Sequence, residues 1–394
     1  MGASWRDHPS WELVEHASEL IDRDVAALLL DADQETLTQT ANAQMATFVL
    51  SLVVLDAAER LGLEPAACAG HSLGEYSALV ATGSLSYEDG VRLVAERGAA
   101  MQDAAEHATG TMIAVLGLDD DDVEAACVRA EGDAWVANFN APGQVVIAGA
   151  PEDLERAADI ARSMGARRVL SFPVGGAFHT PLMAPARDRL RKALAEVSFR
   201  EPEPLVVANV DARIHRDPAD WPGLLSAQLC SPVRWRQSLE VLAAEHMTTF
   251  VELGAGGILT GLVKRTLTGE EISARAVATP EDLESLAASL ASALRTDDLY
   301  SPDAFLMTER LIVSPGTGPF RPVEGMAAAK PRLSEADGDG IEGIEVAVGD
   351  LIGWAGGHEI RSPFAGNLRG IIVLDGERVV TGQPVAWLRA RTDR

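Results

Sequence analysis

Residues 66–79 read AACAGHSLGEYSAL, and this run constrains the fold more than any other part of the chain. It holds a Gly-x-Ser-x-Gly pattern between a short apolar stretch and a helix-forming segment. Gly70 and Gly74 permit a tight strand-to-helix turn, which sets the Ser72 hydroxyl at a helix N-terminus, where backbone N–H groups can stabilise an oxyanion. The pattern alone leaves a structural interpretation open, because a serine in a Gly-rich turn is also a common helix N-cap.

The residues around Ser72 resemble the active-site segment of malonyl-CoA:acyl carrier protein transacylases. The resemblance continues, in the family's order, through VRLVAERGAAMQ, VANFNAPGQVVIAG, GAFHTPLM, QLCSPVRW and VELGAGGILTGL, and it covers about residues 1–295. It implies an α/β acyltransferase fold with an α/β-hydrolase-like large subdomain and an inserted ferredoxin-like small subdomain. It also implies transfer of malonyl from malonyl-CoA to the phosphopantetheine thiol of an acyl carrier protein, for fatty-acid or polyketide synthesis.

The alternation of helical and strand patterns agrees with this implied fold. Apolar residues recur at helical spacing over 11–30 and 41–61, and 75–106 predicts two helices interrupted near Gly83. Residues 111–173 then predict a strand, a helix, two strands, a helix and a strand, an order typical of ferredoxin-like folds. We expect the active site in the cleft between the two subdomains. The expected large subdomain covers 1–108 and 180–297, and the expected small subdomain covers 109–179.

An activated serine requires a base, and His179 in GAFHTPLM is the candidate among eight histidines. It stands at the return from the small subdomain, where a loop can meet the elbow. His71 is a poor base for its neighbour, because successive residues leave an elbow in different directions. No acidic residue has a compelling place in a triad. In the family a backbone carbonyl orients the histidine, and the matching position is Gln228, so the resemblance implies a Ser72–His179 dyad and ping-pong transfer.

Arg97 is a candidate for binding an anionic group. On a helix through 90–101 it shares a face with Leu93, Val94 and Met101, and an arginine on an apolar face needs an anion or else snorkels to the surface. The family uses the matching arginine to bind the free carboxylate of malonate, a bidentate task that suits a guanidinium. The resemblance further assigns substrate-binding positions to Leu73, Gln44 and Phe178, the last in the malonyl-type form of its loop.

The start of the chain departs from the family. Members begin with a strand and a Gly-Gln-Gly-Ser-Gln turn whose first glutamine helps form the oxyanion hole, whereas this chain begins at the residues that follow that turn. We expect either that Met1 is an internal methionine of a longer product or that the site is impaired. Two alternatives to transfer therefore stay open: a thioesterase-like hydrolase using the same serine, and an impaired acyltransferase-like scaffold.

The net charge of the chain limits the classes of partner that it can bind. The net charge of −26 argues against nucleic acid and anionic membranes, so an acidic carrier protein needs a local basic patch. The candidates are Arg167 with Arg168, Arg189 with Arg191 and Lys192, and Lys264 with Arg265. Three scattered cysteines suggest neither disulfides nor a metal site, and without a visible targeting segment we expect a cytoplasmic protein with no bound cofactor.

The C-terminal part contains an internal repeat. Each half has a Ser-Pro-x-x-Gly entry, at Ser314 and Ser362, and later a Val-x-x-Gly-[Asp/Gln]-x-[Ile/Val]-x-Trp stretch. The pattern predicts an all-β sandwich over 308–394 and resembles biotinyl/lipoyl attachment domains. We expect a linker over 298–307 and a flexible insertion over 321–341. The hairpin between the halves carries no lysine, the last lysine being Lys330, so neither biotin nor lipoate is expected and the partner stays unknown.

Overall fold

The computed structural model describes residues 1–172, 174–269, 271–296, 309–323 and 344–390. The chain divides into two compact units, Met1–Leu294 and Arg295–Arg394. The expected linker over 298–307 lies outside the described residues, as do Lys330 and residues 324–341 of the expected insertion.

Helices dominate the N-terminal unit. In chain order its α-helices are α1 (Glu12–Ile21), α2 (Val25–Leu30), α3 (Gln34–Thr38), α4 (Thr40–Arg60), α5 (Gly74–Ala81), α6 (Tyr87–His107), α7 (Asp120–Ala130), α8 (Pro151–Ser163), α9 (Ala184–Leu194), α10 (Trp221–Gln228), α11 (Trp235–Ala244), α12 (Ile258–Thr266) and α13 (Pro280–Thr296). Its strands are β1 (Ala67–Cys68), β2 (Thr111–Leu116), β3 (Ala134–Ala141), β4 (Gln144–Gly149), β5 (Arg168–Phe172), β6 (Leu205–Val206), β7 (Thr249–Leu253) and β8 (Ser273–Val277). Short 3₁₀ helices lie at Ala3–Trp5, Pro9–Trp11, Pro181–Met183 and Pro218–Asp220.

Helix α4 is the centre of the main core. Its length and apolar composition would let it cross a membrane, but 72% of its most apolar window is buried inside the unit. It is apolar on nearly all sides because α1, α5 and α6 pack around it, as expected for a central helix. Trp5 and Trp221 are fully buried in the same core.

One helical prediction needs correction. The apolar spacing over 11–30 forms two helices, because Asp22 adopts a left-handed conformation with φ +49° and ends α1. Asp24 then accepts a hydrogen bond from the Ala27 N–H at 2.7 Å and caps α2. Helix α3 is only five residues long and buries none of them, so it has no apolar periodicity from which the sequence could predict it.

The strands of the N-terminal unit form three sheets. β1 pairs in parallel with β6, β7 pairs in parallel with β8, and four antiparallel strands lie in the order β3-β4-β2-β5. Helices α7 and α8 cover one face of the four-stranded sheet with a core of its own. Phe139 and Val233 join this sheet to the rest of the unit, where the Phe139 N–H donates to the Val233 carbonyl at 2.9 Å.

The residues described from 309 onward in the C-terminal unit form antiparallel strands. They are β9 (Glu309–Val313), β10 (Gly318–Pro322), β11 (Ile344–Val346), β12 (Leu351–Ala355), β13 (His358–Arg361), β14 (Gly366–Ile371), β15 (Arg378–Val379) and β16 (Pro384–Ala390). They form two sheets, β13-β12-β10-β15 and β9-β16-β14-β11. The strands β9 to β12 of the first repeat half correspond in order to β13 to β16 of the second, with β10 and β14 each following a Ser-Pro entry. When corresponding strands are exchanged, the strand order of one sheet becomes that of the other. Phe320, Ile352, Leu368 and Leu388 fill the core between them.

Candidate active site

The turn between β1 and α5 holds Ser72 in an uncommon backbone conformation. Its φ is +52°, in the left-handed region that a serine rarely occupies, and such strain persists only where the surroundings enforce it. Gly70 makes this turn possible, because a Cβ at that position would lie 1.8 Å from the Gly74 carbonyl oxygen. Gly70 therefore lets strand and helix approach closely and present Ser72 between them, whereas a Cβ at Gly74 would meet nothing within 4 Å.

His179 faces Ser72 in a defined tautomer. The Ser72 Oγ and the His179 Nε2 are 2.7 Å apart, and the His179 Nδ1 lies 2.8 Å from the Gln228 carbonyl oxygen. Because a carbonyl only accepts, Nδ1 carries the proton and Nε2 offers its lone pair to the serine hydroxyl. His179 is 4% exposed, and burial, followed by the charge of Arg97, lowers the pKa of His179 to about 3. The imidazole is therefore neutral near pH 7.

Arg97 points into the site from α6 and is 1% exposed. Its Nη2 donates to the Ser72 Oγ at 3.0 Å and to the Gln228 Oε1 at 2.8 Å, while its Nη1 donates to the Gln44 Oε1. The guanidinium carbon lies 5.5 Å from the centre of the Tyr76 ring, and burial lowers the pKa of Arg97. No carboxylate contacts the guanidinium directly within the described part of the chain. The snorkelling alternative for this arginine is wrong.

The Leu73 N–H, directly after the serine, forms no hydrogen bond among the described residues. The neighbouring donors are engaged: the Ser72 N–H binds the Asn209 Oδ1 at 2.7 Å, and the Gly74 N–H binds the His71 carbonyl at 2.9 Å. The N–H of the residue after a nucleophilic serine is a usual oxyanion donor. Leu73 is thus positioned to contribute a backbone group rather than its side chain.

Two residues that sequence reasoning missed complete the network below Ser72. The Asn209 Nδ2 donates to the Gly70 carbonyl at 2.7 Å, so the Asn209 amide holds the backbone of the elbow on both sides of His71. Glu75 is fully buried; its Oε1 accepts the Asn209 N–H at 2.7 Å, and its Oε2 accepts a hydrogen bond from the Gln228 Nε2. Its only sequence signal is a charged residue in the otherwise apolar stretch after the elbow.

The remaining predicted positions lie at different distances from the chemistry. Gln44 is buried and contacts Arg97, whereas Phe178 is half-buried and packs between the main core and the sheet, with no hydrogen bond to the site. His71 turns away from Ser72, with its Nε2 2.8 Å from the Asn140 Oδ1. Within the described ranges no group of three His, Cys, Asp or Glu side chains could hold a metal ion.

A serine on a strained elbow, a neutral histidine at hydrogen-bonding distance and a buried arginine on the same hydroxyl define a serine-nucleophile site for acyl groups. The acyl transferase domain family matches residues 10–294. The malonyl CoA-acyl carrier protein transacylase of Bacillus subtilis is 39% identical over 275 residues, covering 69% of this chain and 86% of the relative. The transacylase of the same name from Escherichia coli K12 is 41% identical over 268 residues, covering 66% of this chain and 87% of the relative.

Solved structures agree. An acyl carrier protein S-malonyltransferase from Vibrio cholerae superposes with a TM-score of 0.68 at 40% identity, over 70% of this chain and 91% of that one. A malonyl-transacylase in complex with its type II PKS acyl-carrier protein superposes with a TM-score of 0.70 at 36% identity, over 73% and 94%. The chain belongs to the acyl transferase family and, within it, to the malonyl CoA-acyl carrier protein transacylases.

Proposed function

We propose that this chain transfers malonyl from malonyl-CoA to the phosphopantetheine thiol of an acyl carrier protein through a malonyl-Ser72 intermediate. The observation that carries the proposal is the position of one hydroxyl, the Ser72 Oγ, between the His179 Nε2 at 2.7 Å and the Arg97 Nη2 at 3.0 Å. A base and a carboxylate-binding cation on the same nucleophile suit a dicarboxylic acyl group better than a neutral one. The relatives' names support the same reaction.

The two half-reactions use the same groups. His179 takes the Ser72 proton as the Oγ bonds to the malonyl thioester carbon, the Leu73 N–H donates to the oxyanion, and the carbon–sulfur bond breaks. His179 returns its proton to the CoA thiolate. The carrier thiol then gives a proton to His179, its sulfur attacks the serine ester, and Ser72 recovers its proton. We propose that the malonyl carboxylate binds Arg97, which also reduces the repulsion that the imidazolium would otherwise meet.

We further propose how the chain is organised around this reaction. The order β3-β4-β2-β5 with two helices on one face supports a ferredoxin-like small subdomain over 109–179, inserted in an α/β-hydrolase-like large subdomain over 1–108 and 180–297. Phe178 and Gln44 would line the acyl site. The family match ends at residue 294, before the C-terminal unit.

For the C-terminal unit over 308–394, with its linker over 298–307 and insertion over 321–341, we propose a biotinyl/lipoyl-like sandwich that serves as a rigid interaction module. The two repeat-related sheets support this fold. Its hairpin at Gly356, Gly357 and His358 presents no lysine, so we propose no biotin or lipoate. We place the reaction in the cytoplasm, without a bound cofactor.

The deciding experiment is intact-protein mass spectrometry after mixing the chain with malonyl-CoA, then with holo acyl carrier protein. We expect a malonyl adduct that moves to the carrier. Ser72→Ala should lower the transfer rate by roughly 10⁴-fold or more, whereas Ser77→Ala, on the helix α5 that follows the elbow, should leave it unchanged. Release of free malonate without carrier at the rate of transfer would favour a hydrolase. Tight carrier binding without an adduct would favour a scaffold and refute the proposal.

A further inference from the structure

We infer that the buried carboxylate of Glu75 is a positioning residue that holds the nucleophile, the base and the arginine in register through Gln228 and Asn209. This inference rests on the proposed function and adds to it a residue that contacts none of the reacting atoms.

Hydrogen bonds connect the Glu75 carboxylate, through Asn209 and Gln228, to the nucleophile, the base and the arginine. Through Oε1, Glu75 fixes the backbone of Asn209, whose side chain holds the Ser72 N–H and the Gly70 carbonyl, each at 2.7 Å. Through Oε2, it fixes the side chain of Gln228. The carbonyl of Gln228 in turn binds the His179 Nδ1 at 2.8 Å. Glu75 therefore determines where the elbow and the base stand relative to each other.

The polarity of the Gln228 amide shows why a carboxylate is needed. Its Nε2 donates to the Ser72 carbonyl at 2.8 Å and to Glu75, while its Oε1 accepts from the Arg97 Nη2 at 2.8 Å. Glu75 meets two N–H donors, one on Asn209 and one on Gln228, so it must present two acceptors. A glutamine at position 75 offers one acceptor and one donor. It would leave two donors facing each other or turn the Gln228 amide, which then directs its N–H groups at Arg97.

The charges of Glu75 and Arg97 also favour a carboxylate at position 75. Glu75 and Arg97 are both buried, with the Gln228 amide between them, and each partner favours the charged form of the other. Burial opposes this and raises the pKa of Glu75 to about 7, with Asp211 adding to the rise. The two N–H donors favour the ionised carboxylate. Glu75 is therefore ionised above about pH 7, where its carboxylate presents both acceptors to its two N–H donors.

The test compares Glu75→Gln and Glu75→Asp with the unaltered chain, using two reactions of Ser72. A fluorophosphonate probe reports the Ser72–His179 geometry without a carboxylate, and malonyl-CoA adds the contribution of Arg97. We expect Glu75→Gln to slow fluorophosphonate labelling by about 10²-fold, because a displacement of about 1 Å at reacting groups costs that much. Malonylation should slow further. Glu75→Asp keeps both acceptors on a shorter side chain, so it should recover part of both rates.

Glu252→Gln is the matched control. Glu252 also accepts two backbone N–H groups, from Gly257 at 3.2 Å and Thr260 at 2.7 Å, but has no link to Ser72. It should label at the normal rate. Normal labelling of folded Glu75→Gln overturns the inference and leaves Glu75 a purely structural residue. If Glu75→Gln does not fold, normal labelling of Glu75→Asp overturns it. An unaltered chain that labels with the fluorophosphonate but takes no malonyl refutes the proposed function, while the Glu75 comparison still stands.

Discussion

The two units of this chain bury different kinds of side chain. The N-terminal unit places Glu75, Arg97, His179, Asn209 and Gln228 inside its core, each less than 5% exposed. Among the described residues of the C-terminal unit, the buried polar side chains are two serines, Ser314 and Ser362. Each donates to a carbonyl two residues along the chain, at 2.6 and 2.7 Å, and so only closes a turn.

This difference shows where stability is given up for chemistry. Burying ionisable groups is unfavourable unless they are hydrogen-bonded, and replacing them with apolar residues often stabilises a protein. The C-terminal core, built on Phe320 and aliphatic side chains, carries no such cost. In the N-terminal unit the cost falls on the residues around Ser72, so substitutions there should change activity and pH dependence, whereas substitutions in the C-terminal unit should change stability alone.

The largest effect among these contrasts should come from Arg97→Lys. One ammonium group cannot reach Gln44, Ser72 and Gln228 together, nor bind a carboxylate through two parallel hydrogen bonds. We expect kcat/KM for malonyl-CoA to fall by roughly 10²-fold, with a much smaller change for acetyl-CoA. Arg92→Lys is the control, since Arg92 is exposed on the same helix and pairs with Asp89 at 3.3 Å. Equal losses for both acyl groups would argue against carboxylate recognition.

A second contrast concerns the pH dependence of unfolding. The pKa of His179 falls from 6.5 to about 3 in the folded chain. Between pH 6.5 and pH 3 the unfolded chain binds a proton at His179 that the folded chain does not bind. The free energy of unfolding is therefore unaffected by His179 above pH 6.5 and decreases as the pH falls from 6.5 toward 3. The expected slope is about 1.4 kcal/mol per pH unit. Glu75 acts in the opposite sense, because its raised pKa makes stability fall as pH rises from 4.5 to about 7.

Comparing the unaltered chain with His179→Gln isolates the histidine. We expect the free energy of unfolding of the N-terminal unit to depend less on pH in the variant, between pH 4 and pH 6.5. His107→Gln, at the exposed end of α6, serves as the control. Identical pH profiles for His179→Gln and the unaltered chain would mean that folding does not lower the pKa of His179.

The sequence indicates the parts of the site that have local patterns. Glycine spacing singles out Ser72, and an arginine on an apolar helix face singles out Arg97; the structure brings their side chains to 3.0 Å. Asn209 and Glu75 have no spacing pattern of this kind, because their hydrogen bond joins residues 134 positions apart; the one local signal is the charge of Glu75 in the apolar stretch after the elbow. The break at Asp22 was missed for a related reason, since a left-handed aspartate leaves the apolar spacing on both sides intact.

The smallest effect should come from the C-terminal hairpin. There two adjacent glycines distinguish the cost of a positive φ from the cost of a steric clash. Gly356 and Gly357 both have positive φ, at +55° and +90°, but a Cβ on Gly356 would lie 2.1 Å from the Thr317 carbonyl oxygen, whereas one on Gly357 meets nothing within 4 Å. Both alanine variants should therefore carry backbone strain, and Gly356→Ala should be less stable than Gly357→Ala by about 1–3 kcal/mol.

Calorimetry of the full chain measures this difference, and malonylation of Ser72 in the same samples tests the comparison between the units. We expect the transition of the C-terminal unit to shift while the acylation rate stays constant. Equal destabilisation by both variants would show that the contact between Gly356 and Thr317 is not limiting. A parallel loss of acylation would mean that the apolar unit supports the polar site, and the division between a core that carries chemistry and a core that carries only stability would fail.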